Sequence, residues 1–124
     1  MDLGRFSICL AVKDLQASWS FYEKLGFTAV SPDPSHKNWL VMKSGDTEIG
    51  IFQGIFDENT LCFNPGGAFG KPAAVITDIR EIHRQLKSKG VVTKGESGLE
   101  SKSGPAGFVV TDPDGNDILF EQHV

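Results

Sequence analysis

Two glutamates and one lysine hold most of the reactive chemistry this sequence offers. Glu48 lies in TEIGIF (47–52), Glu121 in DILFE (117–121), and Lys71 directly before PAAVIT (72–77). All three runs are short, β-branched or apolar, and read as strands. Side chains alternate across a strand. If Ile49 and Ile51 face a core, then Glu48, Gly50 and Phe52 face the other way. By the same parity Ile118 and Phe120 go to the core, and Asp117, Leu119 and Glu121 oppose them. Pro72, Ala74 and Ile76 leave Lys71, Ala73 and Val75 on the opposite face. In the first strand, RFSICLAV (5–12), the bulky set Phe6, Ile8, Leu10 and Val12 leaves Ser7, Cys9 and Ala11. Glu48, Glu121 and Lys71 are therefore the candidate acid–base groups, because burial can tune such side chains toward proton transfer. Ion pairing with Lys71, or plain solvation of the two carboxylates, competes with that reading.

The other reactive types carry less. Cys9 and Cys62 sit in the apolar segments FSICLAV and NTLCFNP and read as reduced, packed thiols. His36 is in a Pro-rich loop, His83 on a helix surface and His123 in the tail, so all three read as solvated. Phe52 faces the candidate surface, joined by Trp39 or Phe108, and apolar walls with a few polar groups suit a small ligand. Packing of the sheet or of a dimer seam would use the same aromatics. GGAFGK lacks the spacing and following helix of a phosphate loop. Asp112 and Asp114 in DPDGN are turn formers, too few for a calcium loop.

The elements that must position these groups come in two similar sets. Asp14 caps a helix whose apolar face is Leu15, Trp19, Tyr22 and Leu25, closed by Gly26. Phe27–Val30, Trp39–Met42 and Thr47–Phe52 follow as strands, with SPDPS breaking the first. Asp78 caps a second helix with Glu81 completing a capping box; Ile79, Ile82 and Leu86 form its face and Gly90 closes it. Strands begin at Val91–Thr93 and continue through Phe108–Thr111 and Asp117–Glu121. At a shift of 64 residues Asp14 meets Asp78, Leu15 meets Ile79, Trp19 meets His83, Tyr22 meets Leu86 and Gly26 meets Gly90. A whole helix in phase is an internal repeat. The expectation is one domain over 1–124, with half-repeats of about 1–63 and 64–124, linked by 54–70. Residues 94–107, KGESGLESKSGPAG, read as a mobile polar loop.

The bulk properties exclude several classes. Hydrophobic content of 40% with 23% charged residues is globular, and a net charge of −4 without a basic run disfavours nucleic acid and anionic membranes. No apolar run approaches a membrane span, and no signal peptide is evident, so a cytoplasmic location is expected.

The segments AVKDLQASWSFYEKLGF and GFVVTDPDGNDILFEQ together resemble the glyoxalase/bleomycin-resistance/dioxygenase (vicinal-oxygen-chelate) superfamily. The resemblance implies an α+β fold: two βαβββ modules forming a curved mixed sheet with helices on its outer face, commonly as a homodimer. Metal-dependent members take four ligands from the inner face. Carried over by motif, those places are Ser7, Gly50, Lys71 and Leu119. Serine is a poor ligand, glycine and leucine offer no side-chain donor, and lysine is a cation. The expectation is therefore no family-type metal, and no other cofactor, with a divalent ion at a shifted Glu48/Glu121 site as the lesser alternative.

Two functions follow as expectations. One is a metal-free protein that sequesters or carries a small cationic or aromatic ligand, held by Ser7, Cys9, Trp39, Glu48, Gly50, Phe52, Lys71, Phe108, Leu119 and Glu121. The other is a lyase or isomerase related to lactoylglutathione lyase, using Glu48, Glu121 and Lys71.

Overall fold

The computed structural model describes residues 2–30, 38–68, 71–72 and 77–124, with Ala68, Lys71 and Pro72 described by backbone alone. The chain divides into two compact units, Ser7–Thr60 and Met1–Phe6 with Leu61–Val124. Each follows a βαβββ pattern, which places the protein in the α+β class.

In the first unit the elements are β1 (Arg5–Val12), α1 (Leu15–Lys24), β2 (Thr28–Ala29), β3 (Trp39–Ser44) and β4 (Thr47–Gln53). The strands run in the order β2-β3-β4-β1, with β1 parallel to β4 and the other pairs antiparallel. Asp14 starts the helix as expected: the Ala17 backbone N–H donates to its side chain over 3.1 Å. Gly26 ends it with φ of +100°, a conformation that side chains rarely adopt. The ladder sets Ile8 beside Ile49 and Leu10 beside Ile51, with Leu40 and Met42 across from the isoleucines. These residues form the core with partly buried Leu15, Trp19 and Tyr22. Each fully buried aliphatic side chain contributes about 1.5–3 kcal/mol. Leu25, expected on the same helix face, is 58% exposed, because the helix has closed before it.

The second unit holds β5 (Thr60–Asn64), the short hairpin β6 (Gly67–Ala68) and β7 (Lys71–Pro72), α2 (Ile79–Ser88), β8 (Lys94–Ser97), β9 (Ala106–Thr111) and β10 (Asp117–Gln122). Its main strands run β5-β10-β9-β8. β5 lies within the segment expected to be a linker. It pairs parallel with β10, as β1 pairs with β4. Nothing local announces it, because its partner lies more than fifty residues away. The strand expected over 72–77 falls mostly on 73–76, outside the described residues, as does SPDPS. The strand expected at Val91–Thr93 begins instead at Lys94.

The core here is Ile79, Ile82, Ala106, Phe108, Val110 and Phe120. The capping box does not form. Glu81 turns to Arg84 and Gln85, and the α2 N-terminus is served from β10 instead. The Ile79 backbone N–H donates to Gln122 Oε1 over 3.0 Å, while Gln122 Nε2 reaches Asp78 Oδ2, Gly104 O and Val124 O. The loop after β8 is pinned. Arg80 donates to the backbone carbonyls of Gly98, Ser101, Ser103 and Gly104 and pairs with Asp78 over 3.1 Å. Residues 94–107 thus comprise a strand, a tethered turn and the start of β9 rather than one free loop. No helix among the described residues is long and apolar enough to cross a membrane.

Candidate functional site

Each unit has a face turned away from its helix, and most sequence candidates map there. In the first unit the ladder places Cys9, Gly50 and Val41 in one row, Ala11, Phe52 and Trp39 in the next, and Glu48 opposite Lys43. Ser7 shares this face by alternation. Cys9 and Gly50 are buried, and Trp39, Phe52 and Glu48 half-buried.

The Phe52 ring folds back over Gly50. A Cβ at position 50 would lie 2.5 Å from Phe52 Cε2. Trp39 stacks against Phe52 with ring centroids 6.1 Å apart and planes 18° apart, and Phe56 meets Phe52 edge-on at 5.0 Å. Aromatic surfaces held this way suit flat or cationic ligands. Glu48 supplies a carboxylate on the same face, and Lys43 across the ladder supplies a positive neighbour.

In the second unit the opposing face carries Cys62, Leu119, Glu121, Gly107 and Val109. Cys62 stands beside Leu119 as Cys9 stands beside Gly50, so the thiols occupy equivalent rows of the two units. Both are buried and reduced. The Cys62 thiol donates to Glu121 Oε1 over 3.6 Å, and His123 Nε2 lies 3.4 Å from the same oxygen. Glu121 and His123 line a cavity of about 210 Å³ with Ser97, Gly107 and Leu119.

Phe108 is a correction. It is opposite Phe120 in the β9–β10 ladder and must share its face. It is fully buried beneath α2, stacked on Phe120 at 4.9 Å and met edge-on by His83 at 5.0 Å. The hairpin register decides this, and composition does not reveal register. His83 is corrected with it: its side chain is 17% exposed, with Nε2 3.2 Å from Thr93 Oγ1 and 3.3 Å from Glu96 Oε1. The Lys71 backbone pairs with Ala68, and the Lys71 side chain lies outside the described residues.

Phe56, Cys62, Ser97 and His123 were not among the sequence candidates. His123 had a usable signal: it follows Glu121 by two residues, and that spacing turns side chains to the same side of an extended strand. Cys62 had none, because β5 itself was hidden. A groove of about 370 Å³ between β1 and α1, bordered by Val12, Ser18, Phe21, Tyr22 and Asn59, contains no sequence candidate.

The perturbed acids are structural. Burial pushes the Asp78 carboxyl up, but hydrogen bonds from the Arg80 backbone and from Gln122 and Arg80 side chains bring it below its ordinary value. Asn116 side-chain and backbone donors lower Asp112, which holds the 112–116 turn together as expected. Asp117 is lowered by Thr111 and Lys94, and Glu96 by Thr93 and His83.

Two of the places corresponding to the family's metal-binding positions, Gly50 and Leu119, lack a side chain that could ligate an ion. The Phe52 ring covers Gly50. Among the described residues no three His, Cys, Asp or Glu side chains gather as a metal-binding set.

A βαβββ pattern present in each of two units, each with one helix-free sheet face, defines a glyoxalase-like fold. The chain belongs to the Glyoxalase/Bleomycin resistance protein/Dioxygenase superfamily, whose pattern it matches over residues 4–120. No curated protein matches it by sequence. Solved structures share the fold at low identity. A superfamily member from Vibrio splendidus 12B01 is 16% identical with a TM-score of 0.63, covering 95% of this chain and 97% of its own. The methylmalonyl-CoA epimerase of Mycobacterium tuberculosis is 14% identical with a TM-score of 0.67, covering 95% and 86%. The NAD-dependent benzaldehyde dehydrogenase of Legionella pneumophila is 17% identical with a TM-score of 0.69, covering 97% and 100%. Such varied names on one fold leave the activity to the site residues.

Proposed function

We propose that this protein binds and sequesters or carries a small aromatic, cationic organic molecule without a family-type metal centre. The observation that carries this reading is the Phe52 ring lying over Gly50, stacked by Trp39 and closed by Phe56. Where metal-dependent relatives place a ligand, this chain presents an aromatic surface beside the Glu48 carboxylate. Flat apolar area supplies affinity, and the carboxylate favours a positive charge. A cationic drug of the bleomycin type has these features. The reading includes a homodimer, which light scattering on the purified protein tests.

Thermal-shift screening against cationic aromatic compounds tests the binding. Stabilisation that is lost in Trp39→Ala and Phe52→Ala supports it. A flat response across the compounds, with the protein folded, rejects it.

A second reading is a lyase or isomerase in which Glu121 moves protons. The contact of Glu121 with His123 favours it, since a carboxylate beside an imidazole is a proton-transfer pair. Turnover that survives Glu121→Gln removes Glu121 from that role.

A further inference from the structure

The groove between β1 and α1 marks a place where the two helices of the repeat are filled differently. At the shift of 64 residues that aligns them, Ser18 stands where α2 has Ile82. Ile82 is fully buried and packs in the core beneath its helix. The smaller, half-buried Ser18 leaves that space unfilled, and the groove of about 370 Å³ opens beside it. The next turn differs in the same sense. Phe21 corresponds to Gln85, which turns along its own helix to Glu81. Phe21 is instead 55% exposed and borders the groove. The volume falls within the range of small-molecule pockets, about 300–1,000 Å³.

The walls set the class of ligand. Leu10 and Val12 of β1 supply aliphatic surface. Phe21 meets Tyr22 edge-on, with ring centroids 5.3 Å apart and planes at 87°, and Phe27 also meets Tyr22 edge-on at 5.7 Å. Two rings at a right angle form a corner in which a third ring can stack on one and turn its edge to the other. Three polar side chains border the same space: the Ser18 and Tyr22 hydroxyls and the Asn59 carboxamide. Asn59 Oδ1 accepts from the Ala11 backbone N–H over 3.0 Å, which orients the amide and leaves Nδ2 as a donor. Neither hydroxyl has a partner among the described residues. No lining side chain is charged, so nothing offsets the desolvation of an ion. A neutral ring bearing a hydroxyl meets both demands: its oxygen accepts from Asn59 Nδ2, and its proton goes to the Ser18 or Tyr22 oxygen.

We propose that this groove is a second binding site, selective for a neutral phenol-type ring, with Ser18, Phe21 and Asn59 as its determinants. It is separate from the Trp39–Phe52 surface, which lies on the helix-free face of the same unit, whereas the groove lies on the face covered by α1.

The probe is phenol, with benzene as the control lacking the hydroxyl, followed by backbone amide NMR of the native protein. The expected result is saturable shifts at Ala11, Ser18 and Phe21, with benzene bound at least about tenfold more weakly. Ser18→Ile fills the groove as Ile82 fills its counterpart, so it abolishes phenol binding in a folded protein. Phe21→Gln, at an exposed position, weakens binding about fivefold. The proposal is overturned by an absence of saturable shifts in the folded native protein, by benzene binding as tightly as phenol, by retained binding in Ser18→Ile or by unchanged affinity in Phe21→Gln. Shifts centred on Phe52 would put phenol on the other face and overturn it as well. Shifts of the groove amides with protein concentration alone would give the groove to a second copy of the chain, with the same consequence. Phenol is uncharged, so its failure leaves the cationic reading of the Trp39–Phe52 surface standing. Failure of the cationic compounds likewise leaves this site intact.

Discussion

The Phe52 ring covers Gly50 so closely that a methyl group on residue 50 would lie 2.5 Å from Cε2. Glycine at this point is what lets the ring lie down. A position that could have offered a metal ligand has become the seat of an aromatic side chain.

Replacing Gly50 should therefore move Phe52. The colliding atom is the far end of a rotatable ring, so Gly50→Ala is expected to cost about 1–2 kcal/mol by crowding. Pairing it with Phe52→Ala should recover much of that loss. Urea denaturation of the two single variants and the double variant measures the coupling, and strict additivity would show that the ring does not rest on residue 50.

The two aromatic candidates should behave in opposite ways. Phe108→Ala empties a fully buried site under α2 and is expected to cost about 3–5 kcal/mol. Phe52→Ala, at a half-buried position, should cost distinctly less while reducing binding of aromatic ligands. Chemical denaturation combined with thermal-shift screening separates core from site; a larger stability loss for Phe52 would reverse the assignment.

These positions also show how far the residues alone could lead. The alternation of Ile49 and Ile51 with Glu48, Gly50 and Phe52 was legible, because a strand with one buried face has a fixed parity. The helix caps Asp14 and Asp78 and the closing Gly26 and Gly90 were legible for similarly local reasons. Phe108 was not, because its face depends on the register with Phe120. β5 was hidden because its partner is remote in sequence, and Cys62 was hidden with it. The Glu81 capping box gave way to Gln122, a tertiary partner no local pattern includes.

The Arg80 guanidinium should hold the turn after β8. Arg80→Ala is expected to raise hydrogen exchange over residues 98–104 by tenfold or more and to cost about 1–2 kcal/mol, since several hydrogen bonds to a charged group are lost. Arg80→Lys should restore little, because one ammonium cannot reach carbonyls spread around a planar fork. Exchange mass spectrometry measures both, and unchanged protection in Arg80→Ala would mean that the turn holds itself.

Acid should loosen the α2 N-terminus. Burial raises the Asp78 carboxyl, but the Arg80 and Gln122 hydrogen bonds outweigh it and the net direction is down. A group with a depressed folded-state pKa adds stability above its unfolded value, about 3.9, and loses it as pH falls through the folded value. Asp78→Asn should therefore be less stable than the native protein at pH 7, with the gap narrowing toward pH 3. Urea midpoints at the two pH values provide the comparison; a constant gap would assign the effect to packing.

The central claim is aromatic, metal-independent ligand binding on the helix-free face of the first unit. Titrating a cationic aromatic compound against the tryptophan fluorescence of the native protein, with and without a strong chelator, tests it most directly. Trp39→Phe assigns the signal, since Trp19 is the other emitter. Saturable quenching of Trp39 at the same affinity in both conditions is the expected result. Quenching that disappears with the chelator and returns with a divalent metal would contradict the account.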